Sequence, residues 1–422
     1  MNVSLIVRGH MAGLTICLAS AAGRGDYKRV ASMLGCDAGA WAGMTGRRTT
    51  GGETAASGAA RRATEPDAAS AVARAGARPT IIDVSARAGV SRMTVSRALR
   101  APHLVRPDTR EAIARAIDEL GYVPDRAAEA LSTRRSGFVG LVVPTLTNTN
   151  FADAARGLTD IIRRQGYELL IGYTDYDENA MLTHVRDMLG RRAEALVLPA
   201  GPRGAALRTL LAGETIPIVQ MAGLAPSPVN YMVGYSNHEA GRLAARYLIG
   251  LGHTRIGVLA AEGDGLSCDH RGGRRLEGFL EALREAGLRE DLVQRMGKPP
   301  VSFTQGAQAM GALLERAPDL HAVFAVSDLV GVGALMECRR RGVRVPEDVS
   351  LMGFGGFEIG REVVPALTTV AVDYRAIGER TGRMVLDLLA GVRDVPPVVD
   401  LGVTLTERET TAFRPALVPV PA

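Results

Sequence analysis

Thr80-Ile81-Ile82-Asp83-Val84-Ser85-Ala86-Arg87-Ala88-Gly89-Val90-Ser91-Arg92-Met93-Thr94-Val95-Ser96-Arg97-Ala98-Leu99 reads as two short helices joined by a tight turn. Thr80 is placed to N-cap the first helix, and Asp83 stands at the capping-box position. Val84 and Ala88 lie one turn apart on an inward face. Gly89 supplies the left-handed residue that ends the helix. Val90 plugs the turn and Ser91 caps the second helix, whose buried side is expected from Val95, Ala98 and Leu99. Arg92, Met93, Ser96 and Arg97 then face outward, with Thr94 at the edge. Further on, Pro107 opens a third helix, Ile113, Ile117 and Leu120 form its core face, and Gly121 closes it.

A helix with polar, arginine-bearing residues at its N-terminal end suits the major groove of DNA. Arg97 can make a bidentate contact to guanine. Arg92 can do the same or hold a phosphate, and Met93 offers apolar contact to a thymine methyl. The DNA-contacting set expected here is Thr80, Ser91, Arg92, Met93, Thr94, Ser96 and Arg97. A solvated helical hairpin would share the glycine turn. It would not need caps, plug and basic face in one register.

The rest of the composition is compatible with this reading. The 422 residues suffice for two or three domains, and 46% hydrophobic content fits a globular chain. The net charge of +5 permits a polyanionic partner, and the cations are almost all arginine, Lys28 and Lys298 being the only lysines. Arginine is the better residue for bidentate contact to phosphate or guanine. Cys17, Cys36, Cys268 and Cys338 form no CxxC pair, which fits a reducing, cytoplasmic setting. No apolar run is long enough to span a membrane. Residues 3–23 resemble a short export signal, but Arg8, His10 and Gly13 interrupt it, and export is not expected. No cofactor or metal is expected: His238-Glu239 begins like a zinc motif and lacks its second histidine. Gly353-Phe354-Gly355-Gly356-Phe357 is not a phosphate-binding loop, and no nucleophile motif occurs, so the chain is not expected to be an enzyme.

Residues 1–77 carry no sustained apolar period and are expected to be a disordered extension. Residues 78–124 are the helix-turn-helix domain, 125–137 a hinge, 138–412 a larger α/β domain and 413–422 a proline-rich tail. Strands are expected at 138–143, 168–172, 195–198, 218–221, 255–259, 322–326 and 349–353. Amphipathic helices such as 157–165 and 240–250 lie between them. This alternation means parallel sheet with crossover helices, and there are enough units for two lobes.

The run from Ile82 to Leu99, with Leu120-Gly121-Tyr122-Val123-Pro124, resembles the DNA-binding head of the LacI/GalR family of regulators. Leu251-Gly252-His253-Thr254-Arg255-Ile256, Ala325-Val326-Ser327-Asp328, Val345 to Phe354 and Pro365 to Val370 resemble landmarks of that family's regulatory domain. Residues 79–412 are covered. Met93 to Arg97, Gly353 to Gly360 and Asp400 to Leu405 are most similar to gluconate-operon repressors.

The resemblance implies a three-helix headpiece followed by two lobes like those of periplasmic binding proteins. Chain crossings between the lobes are expected near 235–237, 369–373 and 396–401. It also implies a homodimer on a pseudo-palindromic double-stranded DNA operator. Residues 126–132 would form a hinge helix on DNA, with Leu131 wedged in the minor groove and Ala128 allowing two such helices to pack. A small-molecule effector would bind between the lobes and release the DNA.

By position, the implied effector residues are Asn148, Phe151, Tyr173, Asp175, Arg275, Ser327, Asp328 and Glu358. Gly355 stands where many members carry an Asp that holds sugar hydroxyls. That departure, with Arg275 as a cation for a carboxylate, points to a sugar acid. Two alternatives stay open. One is a regulator of the same type that takes a neutral sugar or a co-repressor. The other is a ligand-binding protein with no DNA function.

Overall fold

The computed structural model describes residues 78–124, 135–147, 149–201, 204–224, 229–262 and 269–414. Ala128, Leu131 and Asn148 lie outside the described residues, as do the expected extension and nearly all of the tail.

The headpiece is three helices: α1 Ile81–Ala88, α2 Arg92–Arg100 and α3 Pro107–Leu120. Asp83 accepts from the Thr80 backbone N–H at 2.8 Å and from the Thr80 hydroxyl at 2.7 Å. Gly89 and Gly121 both end their helices with left-handed φ, 68° and 60°. Val84, Val95, Ile113, Ala116 and Tyr122 make the core, with Val90 and Ala98 packed against it. Leu99 departs from expectation and is 39% exposed. Ala98 and Leu99 flank Val95 on opposite sides, and only the Ala98 side joins the core.

Two six-stranded sheets follow. The N-terminal lobe holds β1 Phe138–Val143, α4 Thr149–Ile162, β2 Glu168–Tyr173, α5 Glu178–Gly190, β3 Ala195–Pro199, α6 Ala205–Ala212, β4 Ile218–Met221 and β5 Tyr231–Gly234. The C-terminal lobe holds α7 Asn237–Gly250, β6 Ile256–Ala261, α8 His270–Glu285, β7 Val293–Met296, α9 Phe303–Arg316, β8 Ala322–Ala325, α10 Asp328–Arg340, β9 Ser350–Gly355, α11 Glu358–Glu362 and β10 Thr368–Ala371. The chain then returns to the first lobe for α12 Tyr374–Leu389 and β11 Val398–Asp400, and ends in the second with β12 Thr404–Thr406.

The sheet orders are β11-β5-β4-β3-β1-β2 and β12-β10-β9-β8-β6-β7. Every pairing is parallel except β10 with β12. The lobes are therefore joined by three crossings, at 235–236, 372–373 and 401–403. The first two match expectation, and the third falls just past its expected stretch. Strands expected at 138–143 and 218–221 have the observed limits, because both are short, largely apolar runs that are almost wholly buried. β5, β7, β10, β11 and β12 were not anticipated: all are three or four residues long, and β7 and β11 are edge strands with exposed polar residues and no apolar period.

Helix pairs are drawn together by glycine. A Cβ on Gly241 would stand 1.9 Å from the Arg275 carbonyl oxygen, and one on Gly278 2.1 Å from that of His238. α7 and α8 can approach this closely only without those side chains, and the approach seats Arg275.

His253, 3% exposed, lies near the segment where the Arg414 N–H donates to the Leu251 carbonyl. Burial, then the neighbouring His321, lowers its pKa from 6.5 to about 4. Between those values the unfolded chain binds more protons than the folded one. Stability from this group is thus complete above pH 6.5 and is lost as pH falls to about 4. Relative to His253→Gln, the wild type should lose up to roughly 3 kcal/mol over that window, read from denaturant midpoints at each pH. Parallel pH profiles for the two chains would contradict this assignment.

Candidate functional site

Two surfaces carry the chemistry. The first is the outer face of α2. Ser91 accepts the Thr94 N–H at 3.2 Å, and the two hydroxyls are 2.9 Å apart. Arg100 donates to the Ser96 hydroxyl one turn away. Arg92 and Arg97 are exposed, and Met93 is 68% exposed. Thr80, Ser91 and Thr94 thus shape the helix ends, while Arg92, Met93 and Arg97 are the side chains offered to solvent.

The second surface lies between the lobes. Strand order reverses on either side of β1 and of β6, and in parallel sheets ligand clefts form at the carboxyl ends of strands beside such reversals. A small open cleft, with a volume of about 60 Å³, lies there. Pro144, Thr174, Tyr176 and Glu178 line it from the first lobe, and Asp269, His270 and Arg271 from the second.

Arg271 and Arg275 are one turn apart on α8 and share a face. The Arg271 guanidinium lies 4.8 Å from the Phe151 ring centroid and 5.9 Å from that of Tyr176. Its Nε is 3.6 Å from Asp269 Oδ1. Arg275, 5% exposed, donates to the Val326 carbonyl at 3.1 Å and to Asn237 Oδ1 at 2.5 Å. It also stacks 4.0 Å from the Phe354 centroid and faces Asp269 Oδ2 at 3.6 Å. Burial alone would raise the Asp269 carboxyl. The two arginines outweigh it and hold the group below the usual carboxylate range. For Tyr176, burial and then the Asp269 carboxylate keep the hydroxyl protonated.

Three buried polar atoms here have no hydrogen-bond partner among the described residues: Arg271 Nη1, Asp269 Oδ1 and Glu178 Oε2. An unmet buried donor or acceptor costs about 1–3 kcal/mol, so such a cluster has the character of a site that a polar ligand completes.

The structure redistributes the expected effector residues. Arg275 and Phe151 do come together here, Phe151 beneath Arg271 and edge-on to Tyr374 at 6.2 Å. Tyr173 and Asp175 do not line the cavity. Tyr173 is 51% exposed, since Gly172 and Thr174 take the buried positions of the alternation. Asp175 is exposed, and with Tyr176 it adopts left-handed φ, 47° and 66°. In Tyr173's place it is Tyr176 that lines the cavity.

Asp328 is turned into the second lobe. It accepts from the Phe357 N–H and the Thr369 hydroxyl, each at 2.7 Å, and burial raises its pKa to about 6. It ties the head of α10 to the chain after β9 and to β10, and it does not line the cavity. Ser327 is half-buried at the head of α10 and Glu358 is exposed at the head of α11, and neither lines the cavity. Arg271 lines the cavity and was not among the expected residues. Its signal was Arg271 and Arg275 at four-residue spacing, of which only the second was singled out.

Comparisons with known proteins match both the headpiece and the larger domain. Residues 80–125 match the model of bacterial regulatory proteins of the lacI family, and 245–411 match a periplasmic binding protein-like domain. The transcriptional regulator GntR of Escherichia coli (strain K12) is 32% identical over 317 residues, 75% of this chain and 94% of its own. The chain belongs to the LacI family. A LacI-family regulator from Silicibacter pomeroyi superposes with a TM-score of 0.73 at 28% identity, covering 79% of this chain and 99% of the other. The regulator CelR in complex with cellobiose superposes at 0.58 and 32% identity, covering 79% and 100%. This LacI-family chain is a DNA-binding transcriptional regulator.

Arg97→Ala should weaken specific operator binding by about 1–3 kcal/mol per half-site, and leave binding to unrelated duplex nearly unchanged. Gel shifts on both duplexes check this. Equal operator affinity for variant and wild type would remove Arg97 from base readout.

Proposed function

We propose that the chain is a homodimeric, cytoplasmic repressor of a sugar-acid catabolic operon, released from a pseudo-palindromic operator by a gluconate-like inducer. The observation that carries the inducer class is the unmet trio of Arg271 Nη1, Asp269 Oδ1 and Glu178 Oε2. A polyhydroxy acid answers it in full. Its carboxylate meets Arg271, and its hydroxyls donate to the two carboxylate oxygens. Arg275, already bonded within the protein, orients Asp269 and the base of α8. The resemblance of Met93 to Arg97, Gly353 to Gly360 and Asp400 to Leu405 to gluconate-operon repressors supports the same reading.

Dimer formation is supported by apolar side chains left bare on the second lobe. Phe303 and Met336 are 40% and 46% exposed in the groove between α9 and α10, and Val364 is 79% exposed. Pro415, Pro419 and Pro421 in the tail argue against a coiled coil that would pair dimers into tetramers.

A neutral sugar is the second reading. It is favoured by the likeness to CelR and by the two carboxylate acceptors, which suit any hydroxyl-rich ligand. Calorimetry with gluconate and with neutral hexoses separates the two. Gluconate should bind the wild type and lower its operator affinity, and Arg271→Ala should keep operator binding while losing the response. Binding of neutral hexoses without binding of gluconate would sink the sugar-acid assignment.

A further inference from the structure

Arg135 is the first described residue on the stretch of chain that leads from the headpiece into β1. Its Nε donates to Glu194 Oε2 at 3.1 Å, and its Nη2 donates to the Tyr167 hydroxyl. The guanidinium lies 5.7 Å from the Tyr167 ring centroid. Two residues on, the Gly137 N–H donates to Glu194 Oε1 at 2.8 Å. One carboxylate therefore grips the incoming chain at two places. Tyr167 is buried, and the Glu194 side chain is only 14% exposed.

Pairing of β1 with its neighbours begins at Phe138 and Val139. The sheet is complete without Arg135, whose side chain is 64% exposed. An ion pair so exposed adds little stability. What it does fix is direction, because guanidinium, phenol and carboxylate hold the chain from three sides before it enters the lobe.

Gly137, Tyr167 and Glu194 stand at the amino ends of β1, β2 and β3. Pro144, Thr174 and Pro199, at the carboxyl ends of the same strands, line the cavity. Strands of this length span about 17–20 Å and move as a unit.

We propose that Arg135, Tyr167 and Glu194 form a clamp that sets the direction in which the headpiece-bearing chain leaves the lobe. Through it, lobe movement driven at the cavity reaches the DNA-reading helices. The three are positioning residues, and the proposal rests on the reading of the chain as an effector-responsive regulator.

The test uses the full chain, an operator fragment selected by the wild type from genomic DNA, and an unrelated duplex. Arg135→Ala and Glu194→Gln should each weaken operator binding about tenfold, with unrelated-duplex binding and thermal midpoint unchanged. The double variant should be no worse than either single change, as expected of groups acting together. Arg135→Lys should restore part of the affinity. If Glu194→Gln also lowers the thermal midpoint, Tyr167→Phe, which removes one hydroxyl, decides by the same operator measurement.

An arginine that only touched phosphate would behave differently. Arg135→Ala would then weaken both duplexes alike and reduce the salt slope by about one, with Glu194→Gln silent. That pattern overturns the clamp, as does unchanged operator affinity in all variants. A wild type that selects no fragment overturns the regulator reading, and the clamp with it.

Discussion

All strands of the N-terminal lobe run the same way, and this gives the lobe two chemically different ends. Parallel pairing forces each strand to be followed by a crossover, so every strand enters at one edge and leaves at the other. At the carboxyl edge the loops after β1, β2 and β3 meet α8 of the second lobe and enclose the cavity. At the amino edge the same three strands receive the chain that comes from the headpiece. A ligand and a DNA-reading module can therefore act on one rigid sheet without touching each other.

The cavity is a place where buried charge is balanced but not saturated. Asp269 sits between Arg271 and Arg275, and the arginines keep it ionised despite its burial. Breaking such a set by removing one partner leaves an uncompensated charge and costs several kcal/mol, on the order of 3–5. Arg275 is the structural member, tied to Asn237 at a lobe crossing and to Val326 at the end of β8. Arg271 is the open member, with its Nη1 unmet among the described residues. The same helix thus carries one cation bonded within the fold and one with an unmet donor facing the cavity. A ligand that engages Arg271 also bears on Phe151, and so on both lobes at once. Only differential contacts of this kind allow a ligand to shift a conformational equilibrium.

Much of this was legible from residue order. The headpiece was readable because each local signal has a single physical use: the Thr80–Asp83 box, the left-handed Gly89, the Ser91 cap and Pro107 at a helix start. Strands such as 195–198 were readable because they are apolar and buried along their whole length. The effector site was less so. Tyr176 reaches the cavity through a left-handed turn that no periodicity announces, and Tyr173 lost its expected place to simple alternation. Asp328 shares its stretch with the cavity residues in family terms, yet its oxygens are taken by Phe357 and Thr369, far along the chain. Such partners are visible only once β9 and β10 are side by side.

On the proposed function, ligand at the cavity and DNA at the headpiece oppose each other through one chain. Thermodynamic linkage makes that opposition reciprocal: the factor by which ligand weakens DNA binding must equal the factor by which DNA weakens ligand binding. The most direct measurement is the dissociation constant of gluconate for the free protein and for the protein saturated with its operator. Gluconate should bind the operator complex more weakly, by the same factor that saturating gluconate weakens operator binding. Equal gluconate affinity in the two states would contradict it.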